Sequence, residues 1–264
     1  MDDREDKRGS SMSLSTITGT EVFDFEPSEQ LMSLLMAGAN NVLDVMLGYK
    51  QLMFACSSAM KIVRTKLEIL DNQFQMTYNR NPIISIKTRL KSQTSILEKL
   101  ARKGEKPTTE NMELHVSDIA GVRVICGYID DIFKVEELLL NQEDIHLLER
   151  KDYITQPKPS GYRSLHLIVE VPVFLPDGVR NTKVEIQLRT IAMDFWATLE
   201  HEIRYKKDID NTELLRRLES CADAINQNDL EMQSIRMAMD QVKEPQEDMD
   251  ILMDKLRKVD VPFR

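Results

Sequence analysis

Residues 182–206 read TKVEIQLRTIAMDFWATLEHEIRYK, and the fold turns on the change of period inside this stretch. In its first part apolar and polar residues alternate. Val184, Ile186 and Leu188 share one face of an extended chain, and Glu185, Gln187 and Arg189 share the other. Such alternation predicts a strand over 182–188 with one face in a core and one polar face. From Ile191 the apolar spacing becomes helical. A helix is expected to run to about Lys206, burying Ala192, Phe195, Trp196, Leu199 and Ile203.

Working outward, four more apolar runs read as strands: Ile83 to Lys87, Ile119 to Cys126, Ile145 to Tyr153 and Ser164 to Val173. Helical patterns lie between some of them, over Ser92 to Lys103 and Asp131 to Leu140. The interleaving predicts an α/β (α+β) chain, with a mixed sheet of about five strands and helices packed against it. Two long helical patterns frame this centre. Met46, Tyr49, Met53, Cys56, Met60, Val63, Leu67, Leu70 and Phe74 alternate three and four apart, and so do Leu214, Leu218, Cys221, Ile225, Asn228, Met232, Ile235, Met239 and Val242. Read as heptad seams, they are expected to pack on each other, within the chain or between protomers, with Asn228 helping to fix register. The alternative is two unrelated amphipathic helices that each cover the sheet. A short helix over 28–39 with Ser28 as N-cap, and a polar, disordered lead-in over 1–27, complete the N-terminal side. The expected divisions are therefore 1–27, 28–81, a central unit over 82–207, and C-terminal helices over 208–264.

The formal net charge of −9 is unevenly spread. Asp208 to Asp254 holds thirteen acids against four bases and so accounts for the whole imbalance, whereas Lys87 to Lys106 holds seven bases against two acids. A local cationic site for phosphate is compatible with an acidic chain. Cys56, Cys126 and Cys221 are odd in number and far apart, which suggests buried free thiols instead of disulfides or a zinc site. No apolar run approaches the roughly 18 residues of a membrane span, and the start MDDREDKRGSSMSLS lacks a signal-peptide apolar region. A soluble, cytoplasmic protein is expected.

Three groups of residues have the types that phosphate chemistry needs. If a helix begins near Lys91, then Lys91, Ser95, Lys99 and Arg102 form one polar stripe, with Arg89 just before it and Ile96, Leu97 and Leu100 on the buried face. A stripe of this kind is either a solvated basic face or a clamp for a triphosphate. Asp118 and Glu185 are acids set among apolar strand residues, where an unpaired carboxylate costs several kcal/mol. They are either ion-paired structural acids or, with a phosphate substrate, holders of Mg2+. Asp118 and Arg123 differ in strand parity, so they point to opposite faces unless Asp118 precedes the strand or the chain bulges at Gly121. In PKPSGYRSLH, residues 157–166, Gly161 permits a sharp turn before Tyr162, Ser164 and His166. That loop is either a plain turn with a half-buried tyrosine or a mouth where the ring stacks on a nucleobase.

Together, RLKSQTSILEK, DIAGVRV, KDYITQPKPSGYRSLHL and VEIQLRTIAMDFWATLEHEIRYK, in this order, resemble the synthetase domain of the RelA/SpoT family, most closely its short members, the small alarmone synthetases. The resemblance spans about Ile83 to Lys207 and makes 82–207 the catalytic domain. It implies transfer of pyrophosphate from ATP to the 3′-hydroxyl of GDP or GTP. Arg89 and Arg123 would sandwich adenine, and Lys91, Ser95, Lys99 and Arg102 would hold the ATP phosphates. Asp118 and Glu185 would bind magnesium, and Glu185 would also take the hydroxyl proton. Tyr162 would stack on guanine while Lys158, Arg163, His166 and Gln187 arrange the acceptor. A homotetramer is implied as well. His115, His146, His166 and His201 are followed by Val, Leu, Leu and Glu, so the His-Asp motif of the family's hydrolase domain is not found and synthesis without hydrolysis is expected. Nucleic acid is not expected as a substrate, and regulation by RNA stays open. The rival readings are a non-catalytic nucleotide or single-stranded RNA binder and a nucleotidyltransferase that releases pyrophosphate.

Overall fold

The computed structural model describes residues 42–78, 80–206 and 212–242, together with 29, 32 and 33. The expected lead-in over 1–27, nearly all of the helix expected over 28–39, and the chain beyond 242 lie outside the described residues. Five strands, β1 (Ile83–Leu90), β2 (Ala120–Cys126), β3 (His146–Asp152), β4 (Leu165–Leu175) and β5 (Gly178–Thr190), form one sheet in the order β1-β2-β5-β4-β3. The β2–β5 pair is parallel and the other three pairs are antiparallel, so the sheet is mixed, as the interleaved pattern implied. The strand expected over 182–188 is longer at both ends. It pairs with β4 as far as Leu175 and Gly178, leaving Pro176 and Asp177 as a tight turn.

Among the described residues, the helices around the sheet are α1 (Val42–Tyr78), α2 (Gln93–Lys103), α3 (Thr109–His115), α4 (Ile129–Leu140), α5 (Ile191–Lys206) and α6 (Thr212–Val242). The spacing reading missed α3. At seven residues it is too short to leave a periodic signature, and it is started by Thr108, whose side chain accepts from Asn111 N.

The expected pairing of the two long helices does not form. From Tyr49 to Phe74 the apolar row of α1 is buried, with Val63 and Leu67 fully so, in one core with Val122, Val169 and Ile186 from the inner face of the sheet. With that row already covered by strands, no seam remains for α6 or for a second protomer. On α6 the equivalent row is largely open: Leu214, Cys221, Asn228, Met232, Ile235 and Met239 are exposed. This helix docks on α5 and α4 through a different face. Asp229 accepts a 2.5 Å bond from Thr190 Oγ, Gln233 Oε1 accepts from Asp130 N, and Arg236 pairs with Asp130. Equal spacing identifies which residues share a helix face; it does not say what covers that face.

The buried face of α5 also differs from expectation. Met193, Trp196 and Ala197 are buried, while Phe195, Leu199 and Ile203 are exposed. The helix leaves the end of β5 and lies against α6, with Trp196 Nε1 donating to Leu218 O. Its covered side is therefore shared: Met193 joins the sheet core, and Trp196 and Ala197 pack with Ala222 of α6.

Candidate active site

Strand register turns the polar alternation of β5 into a surface. Lys87, Arg123, Gln187, His166 and Lys151 are successive cross-strand neighbours on all five strands. The adjacent row runs Arg89, Gly121, Glu185 and Ile168. Because side chains alternate across a sheet, these rows face away from the α1 core. Gly121 keeps the space beside Arg89 open, since a Cβ there would come within 3.3 Å of the Arg89 carbonyl.

Asp118 lies in the turn before β2, so strand parity does not govern it and it reaches the same side as Arg123 and Glu185. Lys91 Nζ lies 3.0 Å from one of its oxygens and Lys99 Nζ 2.9 Å from the other. Lys99 is presented by α2, whose N-cap Ser92 accepts from Ser95 N and whose Ile96 and Leu100 are buried. Burial works to raise the Asp118 pKa, but the hydrogen bonds from Lys99 and Lys91 outweigh it and hold the carboxyl below its ordinary value. Arg89, Lys91, Ser95, Asp118, Arg123 and Glu185 are among the residues lining this cleft of about 460 Å3.

A second cleft, of about 600 Å3, adjoins it and shares Arg89, Arg123, Gln187 and His201 as common wall. Its far side carries Lys158, Tyr162 and Arg189. Gly161, at φ +85°, turns the chain before Tyr162, and a Cβ at Gly161 would lie 2.4 Å from the Ala222 Cβ of α6. The Tyr162 hydroxyl is 2.8 Å from His166 Nε2 and accepts a 2.6 Å bond from Arg189, while Lys158 Nζ lies 4.9 Å from the ring centroid. Tyr153 packs edge-on against both Tyr162 and His166.

Glu185 lines the first cleft next to Gln187, a residue of the shared wall. Gln187 Nε2 donates to one of its oxygens at 2.9 Å, and His166 Nδ1 is 3.5 Å from the other. Burial acts to raise its pKa, the interactions with His166 and Gln187 act to lower it, the nearby charge of Asp118 opposes them, and the net shift is downward. Two ionised carboxylates therefore share one basic cleft.

Residues 88–210 match the model of the region found in RelA / SpoT proteins. The chain is 42% identical over 210 residues to the GTP pyrophosphokinase YwaC of Bacillus subtilis (strain 168), a match covering 79% of this chain and 100% of that protein. This chain belongs to the RelA/SpoT family. Another relative within it, the GTP pyrophosphokinase YjbM of the same organism, is 37% identical, covering 67% of this chain and 83% of the relative. The structure resembles small alarmone synthetase 2 from Bacillus subtilis with a TM-score of 0.66 at 43% identity, over 72% of this chain and 98% of that one. It also resembles small alarmone synthetase 1 from Bacillus subtilis bound to its product pppGpp, with a TM-score of 0.66 at 35% identity, over 72% and 97% of the two chains.

Within this RelA/SpoT member the expected site residues fall into three sets. Arg89, Lys91, Ser95, Asp118, Arg123, Glu185 and Gln187 converge on the first cleft, and Lys158 and Tyr162 line the second. Lys99 reaches the first cleft through Asp118, and His166 touches both Glu185 and Tyr162 from behind. Arg102 is exposed and lines neither cleft. Arg163 turns to α6, donating to the Gly161 and Ala222 carbonyls and pairing with Asp223 at 3.4 Å. Lys91 lies before α2, so the stripe of the sequence reading is part loop and part helix.

Sequence reasoning missed Arg189 and Asp194. Strand alternation puts Arg189 on the polar face of β5 and assigns it no task. The signal for it was an arginine in strand alternation next to Glu185 and Gln187. Asp194 gave no signal beyond being an acid in the first turn of α5.

Proposed function

We propose that this chain is a GTP pyrophosphokinase that transfers the β,γ-pyrophosphate of ATP to the 3′-hydroxyl of GDP or GTP, makes (p)ppGpp and releases AMP. The observation that carries the reading is the pair of adjoining clefts with a shared wall and, hydrogen-bonded to Gln187 of that wall, the ionised carboxylate of Glu185. One nucleotide is too small to need both. We call the cleft beside Asp118 the donor cleft and that beside Tyr162 the acceptor cleft. The similarity to GTP pyrophosphokinases and small alarmone synthetases supports the same reading.

In the donor cleft Arg89 and Arg123 present guanidinium planes that suit the adenine face, and Lys91 and Ser95 suit phosphate oxygens. Arg123 Nε is buried with no protein hydrogen-bond partner, which leaves a donor for the nucleotide. In the acceptor cleft the Tyr162 ring stacks on guanine, with Lys158 nearby for phosphate. The 3′-oxygen attacks the β-phosphorus, the bond from that phosphorus to the oxygen it shares with the α-phosphate breaks, and AMP departs on that oxygen. Glu185 receives the hydroxyl proton, and its depressed pKa ensures that it is ionised at neutral pH while limiting its strength as a base. Catalysis on this scheme is mostly positioning and charge neutralisation.

Asp118 and Glu185 fit Mg2+: two carboxylates that repel one another in a cleft for phosphate are the donor set this ion takes. Bound there, it would neutralise charge on the transferring phosphates. We further propose a cytoplasmic homo-oligomer, a tetramer being favoured. Exposed Phe195, Leu199, Met232, Ile235 and Met239 supply apolar area for such an assembly, and no described helix is long and apolar enough to cross a membrane. The experiment is incubation with ATP, GDP and magnesium followed by anion-exchange separation. A guanine nucleotide with two added phosphates, and AMP in equal amount, is expected. Nucleotide binding without turnover would leave a non-catalytic binder, and release of pyrophosphate would indicate a nucleotidyltransferase.

A further inference from the structure

Two charged residues outside the roles above join the clefts. Arg189 is nearly fully buried at 5% exposure, and Asp194 sits in the first turn of α5. A single oxygen of Asp194 accepts from Arg189 at 3.1 Å and from Arg123 at 3.3 Å. Arg189 continues inward, donating to the Tyr162 hydroxyl at 2.6 Å and to Gln187 Oε1 at 3.2 Å. An arginine can only donate, so the Tyr162 oxygen accepts there; the same hydroxyl pairs with His166 Nε2, and His166 Nδ1 faces Glu185. The result is a continuous polar chain from Arg123 through Asp194, Arg189, Tyr162 and His166 to Glu185.

The arginines on this chain repel one another. Burial lowers the pKa of Arg123 from its ordinary value, the charges of Arg189 and Arg89 lower it further, and Asp194 opposes them. Asp194 is thus the counter-charge that lets Arg123, at the donor side, and Arg189, behind the acceptor ring, stand close together. Thr190 fixes where α5 begins, because its Oγ accepts from Met193 N and donates to Asp229. Asp194 therefore follows the end of β5 on a rigid start of helix, not on a mobile loop.

We propose that Asp194 is a positioning residue that couples the two nucleotide clefts, so that filling one raises affinity for the other. The proposal rests on the two-cleft reading above. A nucleotide that orders Arg123 pulls on a carboxylate oxygen which also orders Arg189 and, through it, Tyr162. Coupling by this route is reciprocal.

The test is calorimetric titration of the full chain with a non-hydrolysable ATP analogue and magnesium, alone and in saturating GDP, repeated with the nucleotides exchanged. In the wild-type chain GDP should tighten the analogue by about five-fold or more, and the analogue should tighten GDP by the same factor. In Asp194→Asn each nucleotide alone should bind within about three-fold of wild type, while the coupling falls below about two-fold. Asp194→Glu, which keeps the charge, should recover part of it, an outcome that a purely structural role would not give. Wild-type coupling that is absent, or unchanged in Asp194→Asn, overturns the proposal while leaving the two-cleft reading intact. If the wild-type chain binds neither nucleotide, the proposed function falls and the coupling with it. Should Asp194→Asn fail to fold, the wild-type arms and Asp194→Glu still decide: coupling must be present in the first and survive in part in the second.

Discussion

In the donor cleft the charged groups come from neighbouring strands, from α2 and from the short segments that adjoin them, and Asp118 is fixed by two lysines at 3.0 and 2.9 Å. In the acceptor cleft the central ring, Tyr162, stands on a loop whose shape depends on remote partners: Ala222 and Asp223 of α6, and Arg189 at the end of β5. The first is built from local sheet geometry with short ion pairs. The second is a loop held by long-range contacts. Damage to the sheet-built side should therefore stop chemistry outright, whereas damage to the loop-built side should weaken capture of one substrate and spare the other.

Glu185→Gln gives the largest expected effect. It should lower kcat by about 10³-fold or more, the upper part of the range for a general base, with affinity for an ATP analogue little changed. A rate near wild type would remove Glu185 from the chemistry. Tyr162→Ala comes next: loss of stacking worth about 1–3 kcal/mol should raise the acceptor KM roughly 5- to 150-fold and leave the ATP KM within about three-fold. Equal effects on both constants would erase the distinction between the clefts. Gly161→Ala should act in the same direction but more weakly, raising the acceptor KM several-fold, because the new methyl meets Ala222 and the backbone is held at φ +85°. Adding Ala222→Gly should recover part of that loss. No recovery would mean that α6 does not hold the loop.

The smallest effect concerns pH. Glu185 has a depressed folded pKa, so its ionised form persists below the ordinary glutamate value of about 4.3 and the acid limb of kcat/KM should lie below it. His166→Asn removes the largest of the lowering interactions and should move that limb to higher pH; a limb that stays in place would detach His166 from Glu185. The same sign applies to stability. Asp118 and Glu185 each contribute stability that is present above their unfolded pKa and lost as pH falls through the lower folded pKa.

Much of the donor cleft was legible in the sequence because it depends on period. Alternation in β5 placed Glu185, Gln187 and Arg189 on one face, and helical spacing placed Lys99 opposite Ile96 and Leu100. The parity conflict at Asp118 was legible too, and the turn before β2 resolves it. The acceptor side was less legible, since Gly161 against Ala222 and Arg163 against Asp223 are contacts about 60 residues apart that no local pattern announces. Asp194 illustrates the same limit: only the meeting of β2, β5 and α5 shows that its oxygen serves two arginines. The long helices misled for a related reason. The matched three-and-four spacings identify one face on each, and the sheet, not the partner helix, covers the face on α1.

Following the β-phosphorus of ATP tests the central claim most directly. With ATP labelled at that position, GDP and magnesium, the two-cleft account predicts that the label appears in the guanine nucleotide product while AMP leaves unlabelled. Label retained in ADP, or released as free pyrophosphate, would contradict it.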